Sequence, residues 1–594
     1  MIKGGSFLID TIHPEDIFAP EDMNEDQKLL AKITEEFLRG EVEPRIKELE
    51  EKTEGLMKEL LKKSAQVGFL GADIPEEFGG MGLDGIGSLI LTEKVAIGGP
   101  FAVAHLVHTS FGILPILYFG NQEQKQKYLP DLAKGEKIGA FALTEPDAGT
   151  DALGVKATAT LSEDGQYYIL NGEKQFISNS GYADVFITYS KIDGEKFTAF
   201  ILDRNTEGLS LGEEEEKMGI RGTSTRSLIL DNVKVPAQNL LFQIGRGHVV
   251  AFNTLNIGRH KLSGMCVGMA KLAFDNSIRY AKGRVQFGQP ISHFGLIKEK
   301  IGEMAIRIFV GESIVYRISS LLDEGMKNIL KDIKDIKDVN EAVLELARRI
   351  EEHAIECSIE KVYASEMLDY VVDESVQIHG GYGYIKDYPV EQYYRDSRIY
   401  RIFGGTNEIN RLLILRMLFR RMKDGLALID AMEKVASEKI NPSDNIPSQG
   451  ENIGDLAYLV EGAKKIVLLL LKAALKTYPN DMENHQEIMG MVSNIIIEVF
   501  AMESCLLRIQ KMSRRFGEGR NEIPVAISQV YILDAFMRVE RWAKLIFAAV
   551  AEGDALQAHL SNLKKLTRYV PVNSVVHRQT IADSMLKVGR YYIC

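Results

Sequence analysis

Residues Gln377 to Arg411 read QIHGGYGYIKDYPVEQYYRDSRIYRIFGGTNEINR. Near the end of this stretch, Gly404-Gly405-Thr406 runs into Asn407-Glu408. A threonine at that place caps a helix by accepting an orphan backbone N–H. Glu408 then falls in the first turn, where the helix dipole favours a carboxylate. The helix it opens closes a longer helical region. From Ala251 to about Lys423 apolar residues recur at three- and four-residue spacing, which predicts a bundle.

Outward from the bundle the texture changes twice. Between about Gly139 and His248, short β-rich runs such as Tyr167–Leu170 and Val185–Thr188 alternate with Asp164-Gly165, Asn171-Gly172 and Asp193-Gly194. Those pairs are read as turns, and the segment as a compact antiparallel β domain. From about Glu21 to Leu132 the spacing of Leu29, Leu30, Ile33, Phe37, Leu56, Leu60 and Leu61 predicts helices, the first capped by Asn24. After the bundle, Asn441-Pro442-Ser443-Asp444-Asn445-Ile446-Pro447-Ser448 reads as a linker, and helical spacing resumes beyond it. No fixed-period repeat is present.

Composition narrows the function classes. A chain of 594 residues is too long for one core. A net charge of −12 argues against a nucleic-acid surface. The four cysteines, Cys266, Cys357, Cys505 and Cys594, lie far apart without metal-ligand spacing, which fits free thiols in a reducing compartment. The first residues have neither a basic-then-apolar leader nor an Arg-rich, acid-poor one, and the apolar run Ile466–Leu471 stops at Lys472. The expectation is a bacterial cytoplasmic protein with no spanning helix.

The stretch Gln377–Arg411 resembles the C-terminal signature of the acyl-CoA dehydrogenase family of flavoenzymes, and Phe141-Ala-Leu-Thr-Glu-Pro-Asp-Ala-Gly-Thr150-Asp151 resembles its N-terminal signature. The order helix, β domain, helix and extra helical block is similar to the very-long-chain branch. The resemblance covers essentially the whole chain. It implies an α+β, mainly α fold: an N-terminal helical domain (1–138), a middle antiparallel β domain (139–248), a C-terminal four-helix-bundle domain (249–430), a linker (431–450) and an extra C-terminal helical domain (451–594).

The same resemblance implies FAD, an acyl-CoA substrate, an electron-transfer flavoprotein and at least a dimer. Phe141, Leu143, Thr144, Gly149 and Thr150 would meet the flavin, with Thr150 also near the pantetheine arm. A turn-rich loop with free N–H groups and two hydroxyls suits that task. In Lys174-Gln-Phe176-Ile-Ser178-Asn179, Phe176 would pack on the isoalloxazine and Ser178 would reach N5; relatives place Trp where Phe176 stands, so the indole donor is lost. Arg284, Gln286 and Phe287 resemble the segment that reaches the neighbouring subunit's FAD, where a guanidinium fork suits a pyrophosphate. Gln377 and Gly381 would contact the adenosine half across the dimer. Thr406 and Glu408 would lie beside the cofactor, and Asn256, Arg259, Gly404 and Gly405 beside the substrate.

One departure decides the chemistry. In most of the family the base that takes the α-proton is the glutamate of Glu-Gly-Thr; here that residue is Gly404. Other branches carry the base just before the arginine of Leu-Asn-Ile-Gly-Arg259; here that residue is Gly258. Catalytic residues are thus unassigned. Losing a general base removes ~10²–10⁴-fold, roughly 3–5 kcal/mol. The backbone N–H of Gly404 remains to polarise the thioester carbonyl. The expectation is a dehydrogenase of long-chain acyl-CoA in fatty-acid β-oxidation with impaired activity; the alternative is a base-less acyl-CoA- and FAD-binding protein that acts as a binding or assembly factor. Glu408 and Glu145 are weaker base candidates, the second read as structural.

Three patterns point elsewhere on the surface of it. Gly80-x-Gly82-x-x-Gly85 follows Pro75 and a loop rather than a strand, so no dinucleotide fold is expected. His105 and His108 lack a third ligand and are read as packed helix residues. Gly462–Lys476, basic and very apolar, reads as a core helix of the last block, with peripheral membrane contact as the alternative.

Overall fold

The computed structural model describes residues 2–332, 338–438, 453–517 and 521–593. Asn24 accepts from Gln27 N and opens α1 (Glu25–Phe37). Asp84 likewise accepts from Gly87 N and opens α2 (Gly85–Val95), a helix buried on nearly every side. That cap is the use to which the GxGxxG stretch is put. His108 is also structural: Gly139 N–H donates to its Nδ1 (3.0 Å) and its Nε2 faces the Leu132 carbonyl (3.1 Å). Burial pushes His105 down to about 3 and His108 to about 4, so both are neutral.

The middle region is one sheet of β1 (Gly139–Ala142), β2 (Thr158–Leu161), β3 (Tyr167–Ser178), β4 (Val185–Ile192), β5 (Lys196–Asp203), β6 (Leu209–Leu211), β7 (Thr225–Pro236) and β8 (Leu240–Leu241). The order is β6-β7-β3-β2-β4-β5-β8, with β1 beside β4. Most pairs are antiparallel, but β1–β4 and the short β2–β4 contact are parallel, a correction to the purely antiparallel reading. Asp164-Gly165 and Asp193-Gly194 do turn hairpins; Asp193 (φ 55°) and Gly194 (φ 75°) are both left-handed, and Glu195 N–H donates to the Ile192 carbonyl (3.2 Å) across them. Asn171-Gly172 does not turn. It is a bulge inside β3, where the register against β7 shifts and Ala157 closes on Gly172.

The bundle is built from α3 (Gly247–Gly283), α4 (Gly295–Asp332), α5 (Ala354–His379) and α6 (Asn407–Lys423). A Cβ at Gly268 would lie 1.9 Å from the Glu93 carbonyl, so glycine there lets α2 and α3 approach closely and fixes the helix that carries Asn256, Gly258 and Arg259. The linker reading begins too early: α7 (Leu428–Ser437) is helical and buries Leu428, Met432 and Val435, while Asn441–Ser448 lies outside the described residues.

The last block comprises α8 (Ile453–Thr477), α9 (Gln486–Phe516), α10 (Glu522–Val550), a shorter helix Gly553–Leu566, and α11 (Ser574–Val588). Leu456, Leu459, Val460, Ile466, Val467, Leu470 and Ala474 of α8 are buried in this core, and its Lys464 pairs with buried Glu503 at 2.6 Å. The core reading of Gly462–Lys476 therefore holds. Pro100–Phe119 and Gln486–Phe516 are long and apolar enough to cross a bilayer by composition, yet both are mostly buried in the protein. Residues 4–22, grouped with the N-terminal helices in the sequence reading, pack on the bundle and the last block instead. Phe7 meets Phe500 edge-on at 4.8 Å, Gly5 N–H donates to Glu356 (2.8 Å), and Glu21 pairs with Arg508 (2.6 Å).

Candidate active site

Gly404 and Gly405 form a left-handed turn (φ 67° and 83°) between the end of the bundle's short helices and α6. Three side chains hold it. Arg259 Nε donates to the Gly404 carbonyl (2.9 Å) while its Nη1 donates to Asn256 Oδ1 (2.9 Å). Lys361 Nζ, from α5, donates to the Gly405 carbonyl (2.8 Å) and to Asn407 Oδ1 (2.7 Å). Asn410 Nδ2 donates to the Gly405 and Thr406 carbonyls (2.8 and 3.0 Å). Thr406 caps α6 by accepting from Ile409 N at 3.3 Å. Among the described residues, the N–H groups of Gly404 and Gly405 donate to no protein acceptor.

The two glycines at the expected base positions differ in their surroundings. A Cβ on Gly404 would meet only Arg259 Cγ, at 3.9 Å, so a side chain there has room and costs only the left-handed backbone, ~1–2 kcal/mol. A Cβ on Gly258 would lie 2.3 Å from the Phe111 ring. Position 258 is closed unless Phe111 moves.

The charges here are unusual. Arg259 is 7% exposed, and among the described residues no carboxylate pairs with it; burial draws it down to about 10. Lys361 is fully buried and drawn down to about 7 by burial, with Arg259 adding repulsion. Glu408 is exposed, and hydrogen bonds from its own backbone N–H and from Thr406 hold its carboxyl below the usual range, which makes it a poor base. Glu145 is structural, as read: buried, paired with Lys174 at 2.6 Å and accepting from Ala157 N.

The loop after β1 carries Leu143, Thr144, Gly149 and Thr150. Phe141 sits between Phe111 (5.5 Å) and Tyr189 (5.3 Å), so Phe111 joins this loop's strand to Gly258 on α3. Leu143 is buried; Gly149 and Thr150 are exposed. Gln175 N–H donates to the Thr144 carbonyl (2.8 Å), tying the loop to β3 beside Phe176. A register shift between Lys174 and Ile177 turns Phe176 outward, 57% exposed and left-handed (φ 58°), while Ile177 is buried and Ser178 half-buried. Strain of ~1–3 kcal/mol on a non-glycine residue is held where an aromatic face must be presented.

The remaining predicted residues gather at a second place. A short ribbon, Val285–Gln286 against Gln289–Pro290, turns at Phe287 (φ 51°) and Gly288 and leaves Phe287 94% exposed. Beside it Tyr280, Arg284, Gln286, Ile378, Gly380 and Gly381 line a cavity of about 490 Å³. Arg284 lies over the Tyr382 ring at 5.5 Å, and a Cβ on Gly380 or Gly381 would meet nothing within 4 Å. Gln377 is exposed one turn earlier on α5. A larger cavity of about 750 Å³ borders Ser6, Asp10 and Leu426 but includes no signature residue.

Models of the acyl-CoA dehydrogenase N-terminal, middle and C-terminal domains match residues 24–136, 140–233 and 245–419, and a second acyl-CoA dehydrogenase C-terminal domain matches 462–565. Over 592 residues the sequence is 45% identical to a probable acyl-CoA dehydrogenase of Bacillus subtilis (strain 168), covering 100% of this chain and 98% of that one. The chain belongs to the acyl-CoA dehydrogenase family. It is also 31% identical over 571 residues to the mitochondrial very long-chain specific acyl-CoA dehydrogenase of Bos taurus, covering 90% of this chain and 80% of the relative. The crystal structure of an acyl-CoA dehydrogenase complexed with FAD from Bacillus anthracis superposes with a TM-score of 0.95 at 45% identity, each chain covered in full.

As an acyl-CoA dehydrogenase the protein is FAD-dependent. The residues present suit that cofactor: an outward aromatic on a bulge, a loop with exposed N–H and hydroxyl groups, and a glycine-lined cavity with an arginine at its edge. Two side chains central to this acyl-CoA dehydrogenase site escape a reading of sequence alone. Lys361 had a faint signal, a lysine amid Ile359, Val362 and Ala364. Phe111 had none, since its meaning lies in its contact with Gly258.

Proposed function

We propose that the protein is an acyl-CoA dehydrogenase of the very-long-chain-like branch, acting on long-chain acyl-CoA in bacterial fatty-acid β-oxidation, with its chemical step slowed by Gly404. Bound FAD supplies the acceptor for the hydrogen and electrons that leave the β-carbon. Phe141, Leu143, Thr144, Gly149, Thr150, Phe176 and Ser178 would hold the flavin half, with Thr406 and Glu408 beside it. Arg284, Gln286, Phe287, Gln377 and Gly381 would hold the adenosine half of a second subunit's FAD, which the outward position of Phe287 supports. At least a dimer is therefore expected, and the reading includes a cytoplasmic location.

On the substrate side, the unspent N–H of Gly404 would polarise the thioester carbonyl, Asn256 would meet the CoA arm and Arg259 would lie near the reacting centre. The extra C-terminal block and the bovine relative support a long acyl chain. An electron-transfer flavoprotein as the reoxidant is supported by another relative, a caffeyl-CoA reductase-Etf complex subunit of Acetobacterium woodii, 37% identical.

The observation that carries the reading is the clamped Gly404 turn, intact as a binding element yet without a carboxylate. The test is Gly404→Glu. The variant should reduce its flavin under anaerobic long-chain acyl-CoA ~10²-fold faster or more. A second reading, a binding or assembly factor, draws on Gly258 being closed by Phe111 as well. Steady-state turnover with an artificial electron acceptor at the level of ordinary relatives would rule it out.

A further inference from the structure

Among the described residues, no carboxylate neutralises Arg259. Of its guanidinium donors, Nε serves the Gly404 carbonyl and Nη1 serves Asn256, while Nη2 has no protein acceptor among the described residues. Nη2 lies beside Gly405, whose added Cβ would sit 3.5 Å from it, and is not among the sealed polar atoms. Among the described residues, the polar and titratable groups packed around it add no anion: α3 brings Asn256, α5 brings Cys357 and Lys361, and the turn brings carbonyl oxygens. Glu360 of α5 is engaged by His260 at 3.1 Å. A buried charge is stable only with a counter-charge or hydrogen bonds that replace water. The open side of the turn, where a Cβ on Gly404 meets nothing closer than 3.9 Å, leads to Arg259.

We infer that Arg259, beside Gly404 and Gly405, is the binding site for a carboxylate that is not part of this chain. Two sources share that chemistry: a small free carboxylate such as acetate, or a carboxylate on the acyl group of the thioester. This rests on the acyl-CoA dehydrogenase reading of the site. A carboxylate there stands where relatives place their glutamate, and it restores α-proton transfer. The α-carbon C–H bond breaks, its electron pair stays on the thioester as the enolate, and an O–H bond forms on the carboxylate. In D₂O the carboxylic acid trades its proton for a deuteron and returns it to carbon, so label enters without net oxidation.

The experiment uses the FAD-loaded protein, Gly404→Glu and Arg259→Gln. Acetate binding is followed by saturation-transfer NMR without any CoA compound. Deuterium entry at the α-carbon of a straight long-chain acyl-CoA is followed by mass spectrometry in D₂O, with acetate or with chloride at equal ionic strength. Affinities are compared for straight acyl-CoA and for the mono-CoA thioester of a dicarboxylic acid. Acetate should bind the natural protein and neither variant, because Gly404→Glu fills the place and Arg259→Gln removes the charge. If the free carboxylate is the ligand, acetate raises exchange on the order of 10²-fold. If the acyl group carries it, the dicarboxylic thioester binds about tenfold tighter or more, and Arg259→Gln abolishes the preference.

Absence of acetate binding, of acetate-dependent exchange and of a preference for the carboxylated thioester, with straight acyl-CoA still bound, leaves Arg259 a clamp for Gly404 and overturns the inference alone. Failure of every acyl-CoA to bind would strike the functional reading, while the acetate titration still decides this one.

Discussion

At the scale of single residues, activity turns on which glycine can accept a side chain. Gly404 has the room and Gly258 has not, so the two substitutions should behave differently. Gly258→Glu overpacks against Phe111 and should cost ~1–3 kcal/mol in denaturant unfolding, with no gain in flavin reduction. Lys361 gives a second prediction. Burial draws it to about 7, well below the unfolded value of 10.5, so between those values the unfolded chain binds more protons and stability rises with pH. Lys361→Met removes that slope. The stability of the natural protein relative to the variant should therefore grow from pH 7 upward, as read by denaturant titrations across the window. Cys266 and Arg259 of α3, Glu366 of α5 and Glu408 of α6 are the other groups that act on Lys361. Gly404, Gly258 and Arg259 were legible in the sequence because a motif frames them. Phe111 and Lys361 were not, because their partners lie far along the chain.

Among the elements, helices and hairpins were the most legible. Asn24 capped its helix and Thr406 capped α6, since a cap is a contact within a few residues. Asn171-Gly172 misled for the complementary reason. A positive-φ pair suits a turn or a bulge equally, and the choice was made by β7 pairing along all of β3. The bulge at Phe176 was also hidden, although the residue was named. Its exposed, left-handed aromatic explains what the element is for. Phe176→Ala should weaken FAD binding by about 1 kcal/mol, measured by flavin fluorescence on dilution. Because the ring is more than half exposed, the melting of the apoprotein should change little.

For the whole molecule, the order of helical and β regions was readable from periodicity, but the closure of the chain on itself was not. Residues 4–22 form short turns with no helical period, and their partners lie nearly the length of the chain away. Arg508 of α9 is the knot. It binds Glu21 (2.6 Å) and Glu312 (2.8 Å), donates to Ser313, and lies over the Phe309 ring at 4.2 Å. Arg508→Ala leaves two acids short of a partner and should cost ~3–5 kcal/mol, with early proteolytic cleavage before α1. This closure ties the first residues, the bundle and the last block into the scaffold that holds α3 and α5 under the Gly404 turn. The most direct test of that turn as a complete site lacking only its base is anaerobic stopped-flow reduction of Gly404→Glu by long-chain acyl-CoA. The predicted result is flavin bleaching at least ~10²-fold faster than in the natural protein at nearly unchanged acyl-CoA affinity. Equal rates in the two proteins would contradict the account and place the base on another residue.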